Sequence, residues 1–422
     1  MNAKASGIFI TLFLFLSTGC IRSGRDNITL SLIRPNRTPP AVITVRNAVI
    51  DLSAVQQTIR GFGGSSAWMT MTDADMNTLC GTDSNQLGLT ILRIRIDPAG
   101  SAKWPQELNN AQKAMAHRAI VMASPWSPPA AMKTNNSTLN GGNLLTSDYA
   151  AYSVFLSSFV TYMAANGAPL YAISVQNEPE ISESYESCVW TPANLLNFVK
   201  NYAPATGATK LMASESFHFD HAYTDPILND TTAASHISIV AGHIYGGGIA
   251  AYPLAVQEGK EVWMTEHLNM DTTWAGALNT AKEISDCLAL ANFNAYNFWW
   301  LKKSWGPVDS TGNPTRRGYA MAQFARYIRP GYQRVTASYN LSADIYLSAY
   351  KNGTSVVIVA INIGDSLVSQ PFSISGGAVP GFFTPHITSG TANITTGTMV
   401  KVIAGGFTYP LPAQSITTFV SN

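Results

Sequence analysis

Charge is scarce in this chain. Asp, Glu, Lys and Arg supply 12% of its 422 residues, about half the usual globular share. The two signs nearly cancel, 26 basic residues against 25 acidic, for a net charge of +1. No long-range field is left to gather nucleic acid or an anionic lipid surface, so neither is expected as a partner. Cysteine is rare too, at Cys20, Cys80, Cys188 and Cys287 with no C-x-x-C pair, and without paired spacing neither a zinc site nor any other metal or cofactor is expected. Setting Cys20 aside, at most one disulfide could form, and core or loop cysteines are the plainer reading. No stretch reaches the ~18 consecutive apolar residues of a membrane span. The Gly-rich turn Gly61-Phe62-Gly63-Gly64 lacks the G-x-G-x-x-G spacing, which argues against a doubly wound dinucleotide-binding sheet.

What is present is apolar residue, 46% of the chain, enough to fill a large α/β domain and a smaller one. Ser, Thr, Asn and Gly carry the surface, which suits an extracytoplasmic protein handling neutral material. Residues 1–20 fit that location: Lys4 precedes a short apolar run, 8–16, and then Ser-Thr-Gly-Cys. The segment resembles a bacterial lipoprotein signal with Cys20 as the lipidated residue, although Ser17 stands where an aliphatic residue is usual. The expectation is a secreted or lipid-anchored protein, monomeric, touching membrane only through Cys20. Residues 21–40, with three prolines and no periodicity, read as a linker.

From residue 61 onward eight short apolar runs recur, at 61–66, 91–97, 119–126, 171–179, 210–217, 239–246, 261–267 and 295–301. Most end in polar or aromatic residues. Between them lie segments long enough for helices, such as 149–166 and 192–202, with apolar residues three and four apart. Eight strand-then-helix units predict a (β/α)8 TIM barrel over 61–325, close to the ~250 residues typical of that fold. After Arg329-Pro330-Gly331 the pattern becomes short alternating strands at 344–350, 355–362, 370–375 and 415–420, which predicts an antiparallel β-sandwich side domain over 326–422. Strand material ahead of the barrel has no place in it. Residues 41–60 are therefore expected to join the side domain.

Two of the barrel runs end in a carboxylate. Tyr171-Ala-Ile-Ser-Val-Gln-Asn-Glu-Pro-Glu180 delivers Asn177 and Glu178 where Pro179 stops ladder pairing, and Val262-Trp-Met-Thr-Glu-His267 delivers Glu266. Strands four and seven would set these glutamates facing each other at the C-terminal mouth of the barrel, where such folds do chemistry. Glycosidic bond cleavage needs such a pair: one acid to protonate the leaving oxygen, one carboxylate to attack or to activate water. A lone Glu beside Pro is more often a solvated loop residue, so the argument rests on having two. Glu215, in Ser214-Glu215-Ser216, ends another strand and is expected to support the site by hydrogen bonding. His218, Asp220 and His221 lack further partners for a metal and read as surface.

Ser174-Val-Gln-Asn-Glu-Pro179 and Trp263-Met-Thr-Glu266 resemble the acid/base and nucleophile motifs of glycoside hydrolase family 30, in particular its bacterial xylanases of subfamily 8 type. The likeness extends through Ile59-Arg-Gly-Phe-Gly-Gly64, Ser124-Pro-Trp126, Asp225-Pro-Ile-Leu-Asn-Asp230, Arg329-Pro-Gly-Tyr332 and Leu411-Pro-Ala-Gln-Ser415, nearly everything after residue 42. It implies a retaining endo-β-1,4-xylanase acting on xylan or glucuronoxylan, with Glu178 as acid/base and Glu266 as nucleophile. By the same resemblance Asn177 would bond the sugar 2-hydroxyl and Tyr245 would orient the nucleophile. Trp126 and Trp300, with Trp68 less directly, would offer faces to sugar rings. The duller reading of each aromatic is a core side chain.

One departure bears on specificity. Xylanases of this type that require glucuronic acid branches resemble Trp-Trp-x-x-Arg-Arg-Ser-Tyr-Gly-Pro after strand eight, whereas this chain has Trp299-Trp-Leu-Lys-Lys-Ser-Trp-Gly-Pro307. Lys303 stands in place of the uronate-gripping Arg, and Trp305 in place of Tyr. A lysine can pair with a carboxylate but cannot grip it with a planar two-point fork. The segment 267–271 also lacks the tyrosines expected there. The expectation is a relaxed dependence on glucuronic acid branches. Two alternatives stay open: another β-glycosidase of the family, on glucans or glycolipids, and a non-catalytic glycan-binding lipoprotein, which could have dispensed with one carboxylate.

Overall fold

The computed structural model describes residues 45–422. The signal and linker expectations, Cys20 and residues 41–44 lie outside them. Eight parallel strands close into a barrel: β2 (Gly61–Ser65), β3 (Ile91–Arg95), β4 (Ile120–Ser124), β5 (Ala172–Ser174), β6 (Lys210–Ser216), β7 (Ile239–His243), β8 (Glu261–Glu266) and β9 (Ala295–Trp300), with β9 pairing back onto β2. Each grows from one of the eight apolar runs. The strands are buried on both faces, which is why they read as continuous apolar stretches rather than alternating ones. Inside the barrel Ile91, Met122, Met212, Ile239 and Trp263 form a packed plug, and Tyr171 stacks on Trp263.

The outer ring is α1 (Asp73–Cys80), α2 (Pro105–Ala116), α3 (Tyr149–Ala165), α4 (Pro192–Tyr202), α5 (His221–Leu228), α6 (Thr231–His236), α7 (Pro253–Gln257), α8 (Trp274–Ala289) and α9 (Arg316–Ala325). Their starts are set by local chemistry. Thr72, Thr191, Thr273 and Thr315 each accept a backbone N–H of the first turn, and α4 and α7 begin on a proline, whose missing N–H costs nothing there. Asp220 caps α5 in the same way, so this member of the His218, Asp220, His221 trio serves the helix. Cys80, Cys188 and Cys287 are buried free thiols.

The side domain is a curled, mostly antiparallel sheet. It contains β10 (Gln333–Ala337), β11 (Ile345–Asn352), β12 (Ser355–Asn362), β13 (Val368–Ser375), β14 (Phe382–Ser389), β15 (Thr395–Thr396), β16 (Val400–Lys401), β17 (Gly406–Leu411) and β18 (Ser415–Ser421). The strand preceding the barrel, β1 (Ala48–Thr58), lies inside this sheet, antiparallel to β10 and parallel to β13. Curling brings the ends face to face: Phe372 and Phe407 stack at 4.4 Å and meet Phe419 and Phe383 of strands not paired to theirs. Strand β12 serves two cores. Val357, Val359 and Ile361 pack into the barrel's helical layer, while Val356, Ile358 and Ala360 face the sheet's own interior. Gln323 of α9 donates to Thr388 at 2.7 Å and accepts from Thr418 at 2.8 Å, which ties the last barrel helix to the sheet.

Candidate active site

Glu178 and Glu266 stand at the C-terminal ends of β5 and β8, each only 5% exposed. Glu178 has a left-handed backbone, φ 47°, and its N–H donates to the Glu215 carbonyl at 3.0 Å. Glu215 is itself left-handed, φ 51°. Such a conformation costs a non-glycine residue on the order of 1–3 kcal/mol and persists only where the surroundings enforce it. Here the surroundings are a run of bonds that fix the whole segment: Asn177 N–H donates to the Pro125 carbonyl at 2.9 Å, and the Gln176 amide donates to the carbonyls of Trp126 and Asn177.

Arg93 of β3 organises the charges beneath. Its side chain is fully buried; Nη1 donates to Glu266 Oε2 at 2.5 Å, Nη2 to Asn177 Oδ1 at 2.6 Å and Nε to Ser124 at 3.1 Å. Nη2 also lies 3.1 Å from Glu215 Oε1 in an ion contact. The guanidinium rests 4.5 Å from the centre of the Trp126 ring. His243, at the end of β7, holds Glu178 Oε1 through Nδ1 at 2.9 Å, and its Nε2 lies 3.9 Å from Glu215 and 4.0 Å from Glu266. Tyr245 donates its hydroxyl to the other oxygen of Glu266, 2.8 Å away.

The ionisation of this cluster follows from its partners. Burial pushes the Glu215 carboxyl up, but Arg93 and then His243 more than offset it and hold the group down at about 2. Burial pushes the His243 imidazole down, yet Glu266 and the hydrogen bonds to Glu178 and Glu215 raise it to about 9. Burial, with the neighbouring Glu178 charge, raises the Glu266 carboxyl above its ordinary value, although His243, Arg93 and the Tyr245 hydroxyl pull the other way. Burial and Glu266 push the Tyr245 phenol up, so it stays a donor. Two cations, Arg93 and His243, thus face the three carboxyls. One oxygen of Glu178, one of Glu266 and one His243 nitrogen lie within 4.8 Å of one another. A divalent ion among them would meet Arg93 and a protonated imidazole, a poor donor set for a metal.

Because the folded pKa of His243 lies above its ordinary 6.5, its contribution to stability is complete below that pH and is lost as pH rises through about 9. Thermal melts at pH 6, 7.5 and 9 should show a loss of up to about 3 kcal/mol over that window. His243→Gln should flatten the slope, and an unchanged slope in the variant would remove His243 as its source.

Above the cluster opens a cavity of about 510 Å³, walled by Glu178, Glu266, Tyr245 and a set of aromatic rings. Trp68, Trp126, Trp299 and Trp300 line one part of it, Tyr185, Phe217 and Leu268 another. Carboxyls under flat apolar walls are suited to a ligand with polar edges and apolar faces.

Known proteins resemble this chain over most of its length. Residues 100–261 match the model of the glycosyl hydrolase family 30 TIM-barrel domain. The chain is 40% identical over 397 residues to glucuronoxylanase XynC of Bacillus subtilis (strain 168), covering 90% of this chain and 93% of that one. The chain belongs to glycosyl hydrolase family 30. Among solved structures it is similar to the family 30 subfamily 8 xylanase Xyn30A from Clostridium acetobutylicum, with TM-score 0.86, 42% identity and coverage of 89% and 99% of the two chains. It is also similar to the family 30 endoxylanase from Clostridium papyrosolvens C71, with TM-score 0.83, 43% identity and coverage of 89% and 100%. This chain is accordingly a glycoside hydrolase.

In this family 30 hydrolase the residues singled out from sequence fall into three groups. Glu178, Glu266, Tyr245, Trp68, Trp126 and Trp300 meet at one cavity. Trp126 forms its floor, 2% exposed, with Arg93 on its ring. Asn177 is buried beside the cavity and bonded to Arg93. Lys303 and Trp305 stand behind Trp300, the lysine ammonium 4.6 Å from the centre of its ring and Trp305 stacked against it at 6.1 Å. Sequence reasoning missed Arg93 and His243. Arg93 carried one usable sign, a charge in the middle of the apolar run Ile91-Leu-Arg-Ile-Arg95.

Proposed function

We propose that this enzyme hydrolyses xylan inside the chain with retention of anomeric configuration, and that its dependence on glucuronic acid branches is relaxed. The observation that carries the chemistry is the placement of Glu178 and Glu266, each offering an oxygen within 4.8 Å of the other. That closeness suits the ~5–5.5 Å carboxyl separation of retaining glycosidases better than the ~6.5–9.5 Å that leaves room for water. In the first step Glu266 attacks the anomeric carbon while Glu178 gives its proton to the leaving oxygen. In the second, water attacks the glycosyl ester and returns a proton to Glu178, which is now the base. Arg93 and Tyr245 bond the two oxygens of Glu266 and keep it aimed, and His243 fixes the orientation of Glu178. The relatives at 40–43% identity named as glucuronoxylanase and xylanases support xylan as the substrate.

The specificity reading rests on Lys303. Its ammonium lies on the Trp300 ring, and no carboxylate among the described residues pairs with it. It can offer a branch uronate one point of attraction instead of a fork. Digestion of glucuronoxylan, arabinoxylan and linear xylo-oligosaccharides, followed by mass spectrometry, tests both parts. Short neutral products from all three are expected, with the β-anomer appearing first by proton NMR. Acidic products of fixed length and no cutting of linear chains would sink the relaxed specificity, and first-formed α-anomer would sink retention. Lys303→Arg should raise kcat/KM on glucuronate-branched substrate by about tenfold, the worth of one charge-assisted bond, and leave linear substrate unchanged.

A further inference from the structure

Trp68 lines the catalytic cavity and also forms a wall of a second one, about 360 Å³ in volume. That size lies within the ~300–1,000 Å³ of small-molecule sites. The other walls are Arg95, Asp97, Lys103, Gln106, Glu107 and Glu186, none of which the chemistry above uses. Trp68 is an unusual partition. It is 40% exposed and has φ 60°, a backbone conformation that a bulky residue seldom adopts without cause. Its edges contact Trp126, Trp299 and Trp300, while the Arg95 guanidinium lies 5.2 Å from the centre of its ring.

The charges in this second cavity cancel. Arg95 donates to both oxygens of Glu186 and to Asp97, and Lys103 adds a second cation against those two carboxylates. Burial pushes the Glu107 carboxyl up to about 8, despite bonds from Ser66 and Asn110, so at neutral pH this acid is largely uncharged. The cavity therefore offers donors and acceptors at close spacing without net charge. A free anion would meet Asp97 and Glu186, and a free cation would meet Arg95. A ring bearing several hydroxyls fits, since carboxylates accept from neighbouring hydroxyls while the Gln106 amide and the unused Arg95 N–H groups donate.

We propose that this cavity is a sugar subsite continuous with the catalytic cleft around Trp68, taking one neutral pentose residue of the polysaccharide. The proposal rests on the xylan reading. The pentose could be a branch, such as arabinose, or a further unit of the backbone, and the two sources separate experimentally.

Gln106 is exposed near the start of α2, so Gln106→Phe should fill the cavity without disturbing an ion pair or the fold. The test is calorimetric titration of the full chain carrying Glu266→Gln, with and without Gln106→Phe. The ligands are xylotriose, linear xylohexaose and an arabinose-branched xylotetraose. Expected is a loss of affinity on the order of tenfold for the branched ligand or for the hexaose, with xylotriose unaffected. Loss on the branched ligand alone identifies a branch subsite, and loss on the hexaose alone identifies a backbone subsite. Equal affinities with and without Gln106→Phe, or equal losses on all three ligands, overturn the subsite. Failure of both proteins to bind any of these oligomers overturns the subsite together with the xylan reading, whereas the subsite alone falls if all three bind and none responds selectively.

Discussion

Glu266→Gln is expected to abolish xylan hydrolysis, and Glu178→Gln to reduce it by about 10²–10⁴-fold, the range for a positioned general acid. The two losses should differ in kind. In the proposed mechanism Glu178 contributes a proton to the leaving oxygen, so its loss should matter most when that oxygen is a poor leaving group. With an activated aryl xyloside the first step should survive in the Glu178 variant, leaving the second step slow and a burst of phenol visible. In the same mechanism Glu266 forms the covalent bond itself, so no leaving group should rescue its absence. Azide separates the roles further. In Glu178→Ala it should intercept the glycosyl ester and give a product of retained configuration. In Glu266→Ala it would enter the space vacated by the nucleophile, attack the anomeric carbon directly and give an inverted one. Both carboxyls are nearly buried and held by named donors, so melting temperatures must accompany the kinetics. Well-folded Gln variants that keep more than a tenth of wild-type turnover would end this assignment.

The barrel was legible because its strands are buried on both faces. A doubly buried strand is an unbroken apolar run, and each of the eight runs became a strand, with the polar residue that ended it left near the mouth. The side sheet was legible only in part. β12, Val356-Val-Ile-Val-Ala-Ile361, announces itself because both cores use it. β10 places only Val335 fully inside, and β14 and β17 carry Pro385 and Pro410, which in sequence argue against a paired strand. Their pairing is decided by neighbours that the local pattern does not contain. The site divides in the same way. Carboxylates at strand ends stand out because an apolar run stops at them. Arg93 and His243 sit within or at the close of such runs, and their partners arrive from other strands, 173 positions away for Arg93 and Glu266 and 65 for His243 and Glu178. Only barrel closure brings them together. Trp126 teaches the complementary lesson, since no local signal distinguishes an indole under the cavity from one at its rim.

Arg93→Met should be among the most destabilising single substitutions in the barrel. It removes the cation that faces Glu266, Glu215 and Asn177 at once, and leaves the two carboxylates buried with only His243 to offset them. Breaking a buried pair by deleting one partner typically costs about 3–5 kcal/mol, because the surviving charge keeps its desolvation penalty. The pH dependence identifies the cause. In the wild type the Glu215 carboxyl is held down at about 2, below its ordinary 4.5, so its contribution is complete above 4.5 and disappears as pH falls through about 2. The variant lacks that contribution. The stability gap between the two proteins should therefore be widest above pH 4.5 and narrow steadily toward pH 2, where protonation relieves both. Arg93→Lys keeps a charge but loses the fork that reaches Glu266 and Asn177 together, and should fall between them. Denaturant midpoints at pH 7, 4.5 and 3 measure the gap directly. A gap under about 1 kcal/mol at pH 7, or one that does not change with pH, would mean that Arg93 is held in the barrel by packing against Trp126 and not by the carboxylates it faces.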